Sequence, residues 1–254
     1  MNELNKKPYN FGWIPDTHDP RDYKYKDIKP TIDVLPDNVD LRKYCSKVED
    51  QGAIGSCVAQ ALVGNMEMLQ NPEADPNFKY WEVSRMFIYY NARKLEGTEK
   101  FDKGCMIRDA VKSMVDKGCS SERRCKYIEE YFDVKPSCWA YAEAKKHKIS
   151  SYYSLTSTQE FMDCLASGFP FVFGIPVFTS FFSDVVKTTG VVQMPVAGDR
   201  IVGGHAILAV GYNMAEKRFL CRNSWGEAWG QKGYFTIPFD YVNQGGDDFW
   251  TVRK

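Results

Sequence analysis

A cysteine, a histidine and an asparagine stand in sequence contexts that suit nucleophilic catalysis. Cys57 follows QGAIGS and opens an apolar run with helical spacing, so it is predicted in the first turn of a helix. The free N–H groups and partial positive charge of a helix N-terminus stabilise a thiolate. The alternative interpretation is a structural cysteine, because free cysteines are common in protein cores.

A nucleophilic thiol needs a neighbouring base, and His205 is the histidine with the most suitable surroundings. It lies in GGHAILAVGYN, where two glycines permit the close approach of another group and an apolar strand follows. His18 instead lies in a proline-rich segment, and His147 lies at the polar end of a predicted helix. His205 is therefore the candidate general base.

The segment RNSWGEAWGQKGYF supplies the third group. The amide of Asn223 can accept a hydrogen bond from an imidazole N–H and fix the ring, and it adds no charge beside a thiolate–imidazolium pair. Trp225 would shield this hydrogen bond from water, which strengthens it. The alternative is a glycine-rich aromatic turn, which explains the glycines but not the interleaved Asn and Trp.

The elements that must position these residues change character along the chain. Residues 1–37 are punctuated by prolines, which excludes long helices and predicts an extended N-terminal arm. Residues 38–148 show mainly helical spacing, and residues 149–254 contain short aromatic and β-branched segments typical of strands. The prediction is an α+β fold with a helical and a β subdomain, whose interface is a favoured place for an active site.

Composition and charge exclude several classes of function. The hydrophobic fraction of 44% supports a core that needs no disulfides, and a formal net charge of zero without a basic block argues against a nucleic-acid partner. The apolar runs are short and interrupted by Pro and Gly, so no membrane span is expected. Eight cysteines without an export signal predict free thiols in a reducing compartment such as the cytoplasm. Their spacing does not suit a metal site, so neither a metal nor a cofactor is predicted.

Three blocks together resemble the papain-like cysteine proteases, peptidase family C1. QGAIGSC, GGHAILAVGY and RNSWGEAWGQKGYF occur in the family's order, and the resemblance covers about residues 37–254. GWIPDTHDPRDY and GCMIRDAVK look most like the compact, non-lysosomal members. The resemblance implies a mainly helical left subdomain and a β-barrel-like right subdomain, with the active-site cleft between them.

The resemblance also implies a role for each candidate. Cys57 is the nucleophile, His205 is the general base and acid, and Asn223 orients His205. The amide of Gln51, with the N–H of Cys57, would hold the oxyanion of the tetrahedral intermediate. The predicted substrate-binding residues are Gly104, Cys105, Met106, Ile107, Gly174, Gly204, Ala206 and Trp225.

Two departures from the family pattern affect the expectations. Ile54 stands where the family usually has a disulfide-bonded cysteine, so this bond is absent and Cys105 is predicted to be unpaired. Val58 replaces the usual tryptophan after the nucleophile. Neither change removes a catalytic group. Arg108 and its neighbour Asp109 are interpreted as a helix-entry pair or a surface salt bridge.

The resulting expectation is a cysteine endopeptidase, a thiol protease that acts on peptide or protein substrates. Two interpretations of the arm stay open: it supports the fold, or it covers the cleft as in a zymogen until it is displaced or cut. Two other functions also stay open. One is a transpeptidase or amidase that uses the same acyl-enzyme, and the other is a non-catalytic binding or structural protein on a protease scaffold.

Overall fold

The computed structural model describes residues 10–30, 32–70 and 81–254. The first nine residues of the predicted arm lie outside the described residues. Within the described ranges, helices dominate the first part of the chain and an antiparallel sheet dominates the second, which confirms the predicted α+β class. None of the helices in these ranges is long and apolar enough to cross a membrane.

Four of the helices in the described residues begin after a serine that caps them. The hydroxyls of Ser84, Ser137, Ser157 and Ser183 each accept a hydrogen bond from a backbone N–H of the first turn that follows. The helices are α1 (Cys57–Met68), α2 (Arg85–Leu95), α3 (Ile107–Asp116), α4 (Cys138–Ala144), α5 (Thr158–Ala166), α6 (Asp184–Thr189) and α7 (Phe239–Gly245).

Helix α1 differs from the others because every one of its residues is buried. Its sequence, CVAQALVGNMEM, is apolar or small on nearly all sides, which suits a helix in the centre of a domain. It packs against α2, α3 and the sheet. A helix enclosed in this way holds its first residue, Cys57, in a fixed position.

The sheet is antiparallel throughout the described residues, in the order β2–β7–β3–β4–β5–β6, and β1 pairs with β4. The long strand β4 pairs with β1, β3 and β5, so it forms the spine of the sheet. The strands are β1 (Asn38–Asp40), β2 (Ser151–Ser154), β3 (Phe171–Phe178), β4 (Ile201–Asn213), β5 (Arg218–Arg222), β6 (Tyr234–Pro238) and β7 (Asp247–Arg253).

One apolar core joins the helices to the sheet. It includes Leu62 of α1 and Val111 of α3, together with Phe171 of β3 and Leu208 of β4, all fully buried. Burial of this kind contributes roughly 1.5–3 kcal/mol per large apolar side chain. The shared core fixes the start of α1 relative to β4.

Some elements were not foreseen. Strand β1 lies in the part of the chain predicted to be mainly helical, and it joins the sheet through β4. Helices α6 and α7 and strand β7 also lack a clear signal, because α6 is only six residues long and β7 begins with two aspartates. The boundaries of the predicted subdomains stay a prediction.

Candidate active site

Cys57 is the first residue of α1 and is fully buried. Its Sγ accepts a hydrogen bond from the backbone N–H of Ala206, at 3.4 Å. Ala206 follows His205 on β4, so this bond brings the helix start directly against the strand that carries the histidine. The thiol and the imidazole therefore belong to one site.

The imidazole of His205 is fully buried and has a defined tautomer. Its Nε2 lies 2.8 Å from Oδ1 of Asn223, and an amide oxygen can only accept, so Nε2 carries the proton. The same Oδ1 accepts a hydrogen bond from the backbone N–H of Ser224 at 2.8 Å, so the oxygen and not the nitrogen of the amide faces the imidazole. Nδ1 is left unprotonated, with no hydrogen-bond partner among the described residues. It is the nitrogen available to take a proton.

Trp225 lies against the imidazole rather than along the open cleft. Its ring stacks on His205 with a centroid distance of 4.9 Å and an interplanar angle of 26°, and its side chain is buried. Phe181 and Phe182 pack on its other sides. These rings exclude water from the bond between His205 and Asn223.

The side-chain amide of Gln51 is held at both ends. Its Oε1 accepts from the hydroxyl of Ser224 at 2.7 Å, and its backbone N–H donates to the Ser224 carbonyl at 2.8 Å. Its Nε2 donates to the carbonyl oxygens of Ile54 and Asn10, both at 3.0 Å. Ser224 was not predicted as a site residue, although it directly follows Asn223.

The arm runs through the site in an extended conformation. The N–H of Trp13 donates to the Gly204 carbonyl at 3.2 Å, and the N–H of Cys105 donates to the Gly12 carbonyl at 2.9 Å. The N–H of Ile14 donates to the Cys105 carbonyl at 3.2 Å, in a parallel bridge between Trp13 and Cys105. The backbone groups predicted to bind substrate are thus paired with the arm.

Glycines let the arm approach this closely. A Cβ on Gly12 would lie 1.7 Å from the carbonyl oxygen of Gly55, and a Cβ on Gly104 would lie 2.1 Å from the Gly12 carbonyl oxygen. A Cβ on Gly174 would lie 2.0 Å from the indole of Trp13, and one on Gly204 would lie 2.8 Å from it. Only residues without a Cβ leave room for the arm here.

The predicted substrate-binding residues therefore fall into two groups. Gly104, Cys105, Gly174 and Gly204 contact the arm directly. The members of the second group contact other parts of the protein. The backbone N–H of Ala206 donates to the thiol of Cys57, and the backbone N–H of Met106 donates to the carboxylate of Glu96. Ile107 is fully buried at the start of α3. Trp225 covers the imidazole, as described above.

Burial keeps the covered site uncharged. It raises the pKa of the Cys57 thiol to about 11, although several backbone N–H groups, including that of Gly12, oppose the shift. It also lowers the pKa of His205 to about 4, opposed by the bond to Asn223. The expected thiolate–imidazolium pair is therefore not the state of the covered site, because removal of water outweighs the field of the helix N-terminus.

A pair of carboxylates anchors the arm beyond the cleft. The indole N–H of Trp13 and the backbone N–H of Asp16 donate to Oδ2 of Asp248, at 2.9 and 2.8 Å. Asp16 in turn accepts from the indole of Trp250 at 2.7 Å, and burial, together with Asp248, raises the pKa of Asp16 to about 7. These residues were missed, because aspartates in GWIPD and GGDD give no local signal of a contact.

Arg108 also holds the arm, which corrects the expectation of a helix-entry pair or a surface salt bridge. Its side chain is only 6% exposed, and its guanidinium binds the carbonyl and hydroxyl of Thr17 and the carboxylate of Asp22. A buried guanidinium needs several acceptors, and the arm supplies them. All eight cysteines are unpaired, including Cys105, for which this was predicted. Across residues 10–30, 32–70 and 81–254, no group of three His, Cys, Asp or Glu residues is arranged to hold a metal.

Comparison with known proteins decides the family. The model of the papain family of cysteine proteases matches residues 35–247. The chain belongs to the papain family of cysteine proteases. This protease is 36% identical to an uncharacterised peptidase C1-like protein of Acanthamoeba polyphaga mimivirus, over 96% of this chain and 87% of that protein. It is 25% identical to a cathepsin L-like proteinase of Fasciola hepatica, over 84% of this chain and 63% of that one.

Solved structures agree with the family assignment. The crystal structure of xylellain, a cysteine protease from Xylella fastidiosa, superposes with a TM-score of 0.88 at 34% identity and covers 98% of each chain. A digestive procathepsin L2 proteinase from Tenebrio molitor larval midgut shares the fold, with a TM-score of 0.76 at 21% identity, covering 100% of this chain and 81% of that one. The papain-like fold is thereby confirmed, and this papain-family protein is a cysteine peptidase, a hydrolase.

Proposed function

We propose that this protease is an endopeptidase that works through Cys57, His205 and Asn223 and is kept inactive by its own arm. Sγ of Cys57 attacks the peptide carbonyl carbon while His205 takes the thiol proton. His205 gives this proton to the departing amine, leaving a thioester. Water then attacks the thioester with His205 as base, and the acid product leaves as the thiol is restored.

The contact between Gln51 and Asn10 is the observation that carries this proposal. A side-chain N–H fixed by Ser224 already donates to a peptide carbonyl oxygen at 3.0 Å, beside the buried thiol. A donor held in advance at this distance is what an oxyanion needs, and it is typically worth about 2.7–4 kcal/mol of the barrier. Under this proposal, a substrate carbonyl takes the position that the Asn10 carbonyl occupies here.

The direction of the arm supports inhibition rather than self-cleavage. In the family, the acyl half of the substrate is expected along Gly104, Cys105 and Met106. In this chain the arm residues that follow Gly12 lie there, because Trp13 forms a parallel bridge with Cys105 and the N–H of Ile14 donates to the Cys105 carbonyl. The arm therefore runs opposite to a substrate, fills the cleft and offers no bond in the orientation for attack.

Covalent labelling with a thiol-directed peptide epoxide tests the proposal. The chain should be labelled at Cys57 ahead of its other seven cysteines, and faster when the arm is displaced. The same preparation should cut internal bonds of a peptide library, and Cys57→Ala should abolish both the cutting and the labelling. Labelling spread over several cysteines, with no cutting even after arm displacement, would rule out the proposed activity.

A further inference from the structure

The loop that carries the proposed oxyanion donors is bound by a tyrosine that lies far from it in the sequence. Residues 51–57 supply both donors, the side-chain amide of Gln51 at one end and the backbone N–H of Cys57 at the other. The hydroxyl of Tyr127 donates to the Gln51 carbonyl at 2.7 Å and lies 2.6 Å from the hydroxyl of Ser56. A phenol has one hydrogen, so Ser56 is the donor in the second bond.

These two hydrogen bonds reach the backbone that places each donor. The N–H of Cys57 belongs to the peptide that joins it to Ser56, so a bond to the side chain of Ser56 restrains the direction of this N–H. The backbone of Gln51 is bound on both sides, since its N–H donates to the Ser224 carbonyl at 2.8 Å and its carbonyl accepts from Tyr127. The amide of Gln51 therefore projects from a backbone that cannot easily shift.

The segment that contains Tyr127 contacts the loop at one further point. Oε2 of Glu129 accepts from the backbone N–H of Ala53 at 3.0 Å. Gly52 lies against the same carboxylate and has a φ of +63°, a left-handed conformation that favours glycine. Residues 127–129 thus follow the loop from its start to its end.

The ring of Tyr127 is itself held in place. Its backbone N–H donates to the carboxylate of Glu122, and the guanidinium of Arg85 lies over the ring at 5.4 Å from its centroid. The side chain of Arg85 is only 7% exposed and forms ion pairs with Glu122 and Glu49. A hydroxyl on a ring supported in this way is a fixed point for the loop.

We propose that Tyr127 is a positioning residue for the oxyanion hole, whose hydroxyl keeps the amide of Gln51 and the N–H of Cys57 aimed at one point. The inference rests on the proposed acyl-enzyme chemistry and adds a residue to it. Tyr127 acts through Gln51 and Ser56 rather than on the substrate. Oxyanion donors are effective because they are aligned before the reaction, so a loop that can shift loses part of the stabilisation although both donors remain.

Tyr127→Phe in the full chain with Gly12→Val tests this inference. Gly12→Val should displace the arm, because its Cβ would lie 1.7 Å from the carbonyl oxygen of Gly55. Loss of the Tyr127 hydroxyl should lower kcat for a peptide roughly five- to tenfold, the effect of one neutral hydrogen bond, and leave KM unchanged. Alkylation of Cys57 by a peptide epoxide forms no carbonyl oxyanion and should keep its rate. Ser56→Ala should show the same division between the two reactions.

Two further comparisons separate alignment of the donors from loss of stability. Tyr141→Phe, the matched control, removes a hydroxyl that donates to Asn91 at 2.9 Å, so it should lower the Tm to a similar extent and change neither rate. Where Gln51→Ala is already present, one of the two aligned donors is gone, and Tyr127→Phe should then lower kcat much less. An unchanged kcat in Tyr127→Phe, equal losses in kcat and labelling, or the full loss beside Gln51→Ala would overturn the inference.

Acylation of Cys57 keeps the test independent of peptide cleavage. A peptide nitrophenyl ester reacts through a carbonyl oxyanion: Sγ bonds to the carbonyl carbon, and nitrophenolate leaves. Its release in a single turnover should slow roughly five- to tenfold in Tyr127→Phe, relative to alkylation by the epoxide. If no variant cuts a peptide, the proposed endopeptidase activity fails, while this ratio still decides the role of Tyr127. If peptides are cut and the ratio is unchanged, only the role of Tyr127 fails.

Discussion

Replacing Gly12 by valine should release the arm, and the size of the effect follows from the overlap. The new Cβ would lie 1.7 Å from the carbonyl oxygen of Gly55 and 2.3 Å from its carbonyl carbon. Overpacking that side chains can absorb costs about 1–3 kcal/mol, and here only backbone stands in the way. A loss of about 3 kcal/mol in docking raises the ratio of open to closed protein roughly 150-fold.

An intramolecular blocker has a distinctive kinetic effect. Substrate binds only the open form, so the apparent KM is the intrinsic KM divided by the fraction of protein that is open. The value of kcat at saturation is unchanged. Gly12→Val should therefore lower KM by up to about 150-fold without raising kcat, and labelling of Cys57 by a peptide epoxide should accelerate in proportion. A quenched fluorescent peptide measures the first effect and intact-mass spectrometry the second.

The matched control is His18→Val, which adds a β-branched side chain at an exposed position of the same arm. It should change neither KM nor the labelling rate. Thermal unfolding must show that both variants are folded. A folded Gly12→Val protein with the KM and labelling rate of the parent would refute the reasoning, because the arm could then not be the closed state of the cleft.

The anchor of the arm and the oxyanion donor make three other outcomes measurable. The docked arm holds the pKa of Asp16 at about 7, against an ordinary 3.8, so docking takes up a proton. Docking of the arm should weaken as pH rises from about 4 to about 7 and stay constant above that, so KM should fall over this range. In Asp16→Asn this fall in KM should disappear. If Asp16→Asn shows the same fall, Asp16 is not the group that titrates. Trp13→Phe keeps the ring but removes the donor to Asp248, so KM should fall about tenfold, and an unchanged KM would mean that this bond adds nothing. In the arm-released background, Gln51→Ala should lower kcat roughly 10²–10³-fold while epoxide labelling of Cys57 continues, since epoxide opening forms no carbonyl oxyanion; equal losses in both would point to misfolding.

The catalytic residues of the site were easier to predict from the sequence than the contacts between residues far apart in the chain. For Cys57, His205 and Asn223, the adjacent residues in the sequence predict the local structure, such as glycines before a strand or the start of a helix. Asp16 and Asp248 lie 232 residues apart, and their contact depends on the register of β7 against β3, which no local pattern specifies. Strand β7 itself was missed because it begins with two aspartates, of which Asp248 bonds to the arm.

In the proposed inhibition, the arm acts on the nucleophile in two ways that reinforce each other. It fills the cleft, and the ring of Phe11, 6.3 Å from the His205 ring, helps replace the water that would stabilise charge there. The thiolate is the reactive form of cysteine, so a thiol with a pKa of about 11 is a poor nucleophile even towards small reagents. Opening returns water to Cys57 and allows the thiolate–imidazolium pair to form. Since ionisation of this pair favours the open state, the chemistry that performs the reaction also opposes closure of the arm.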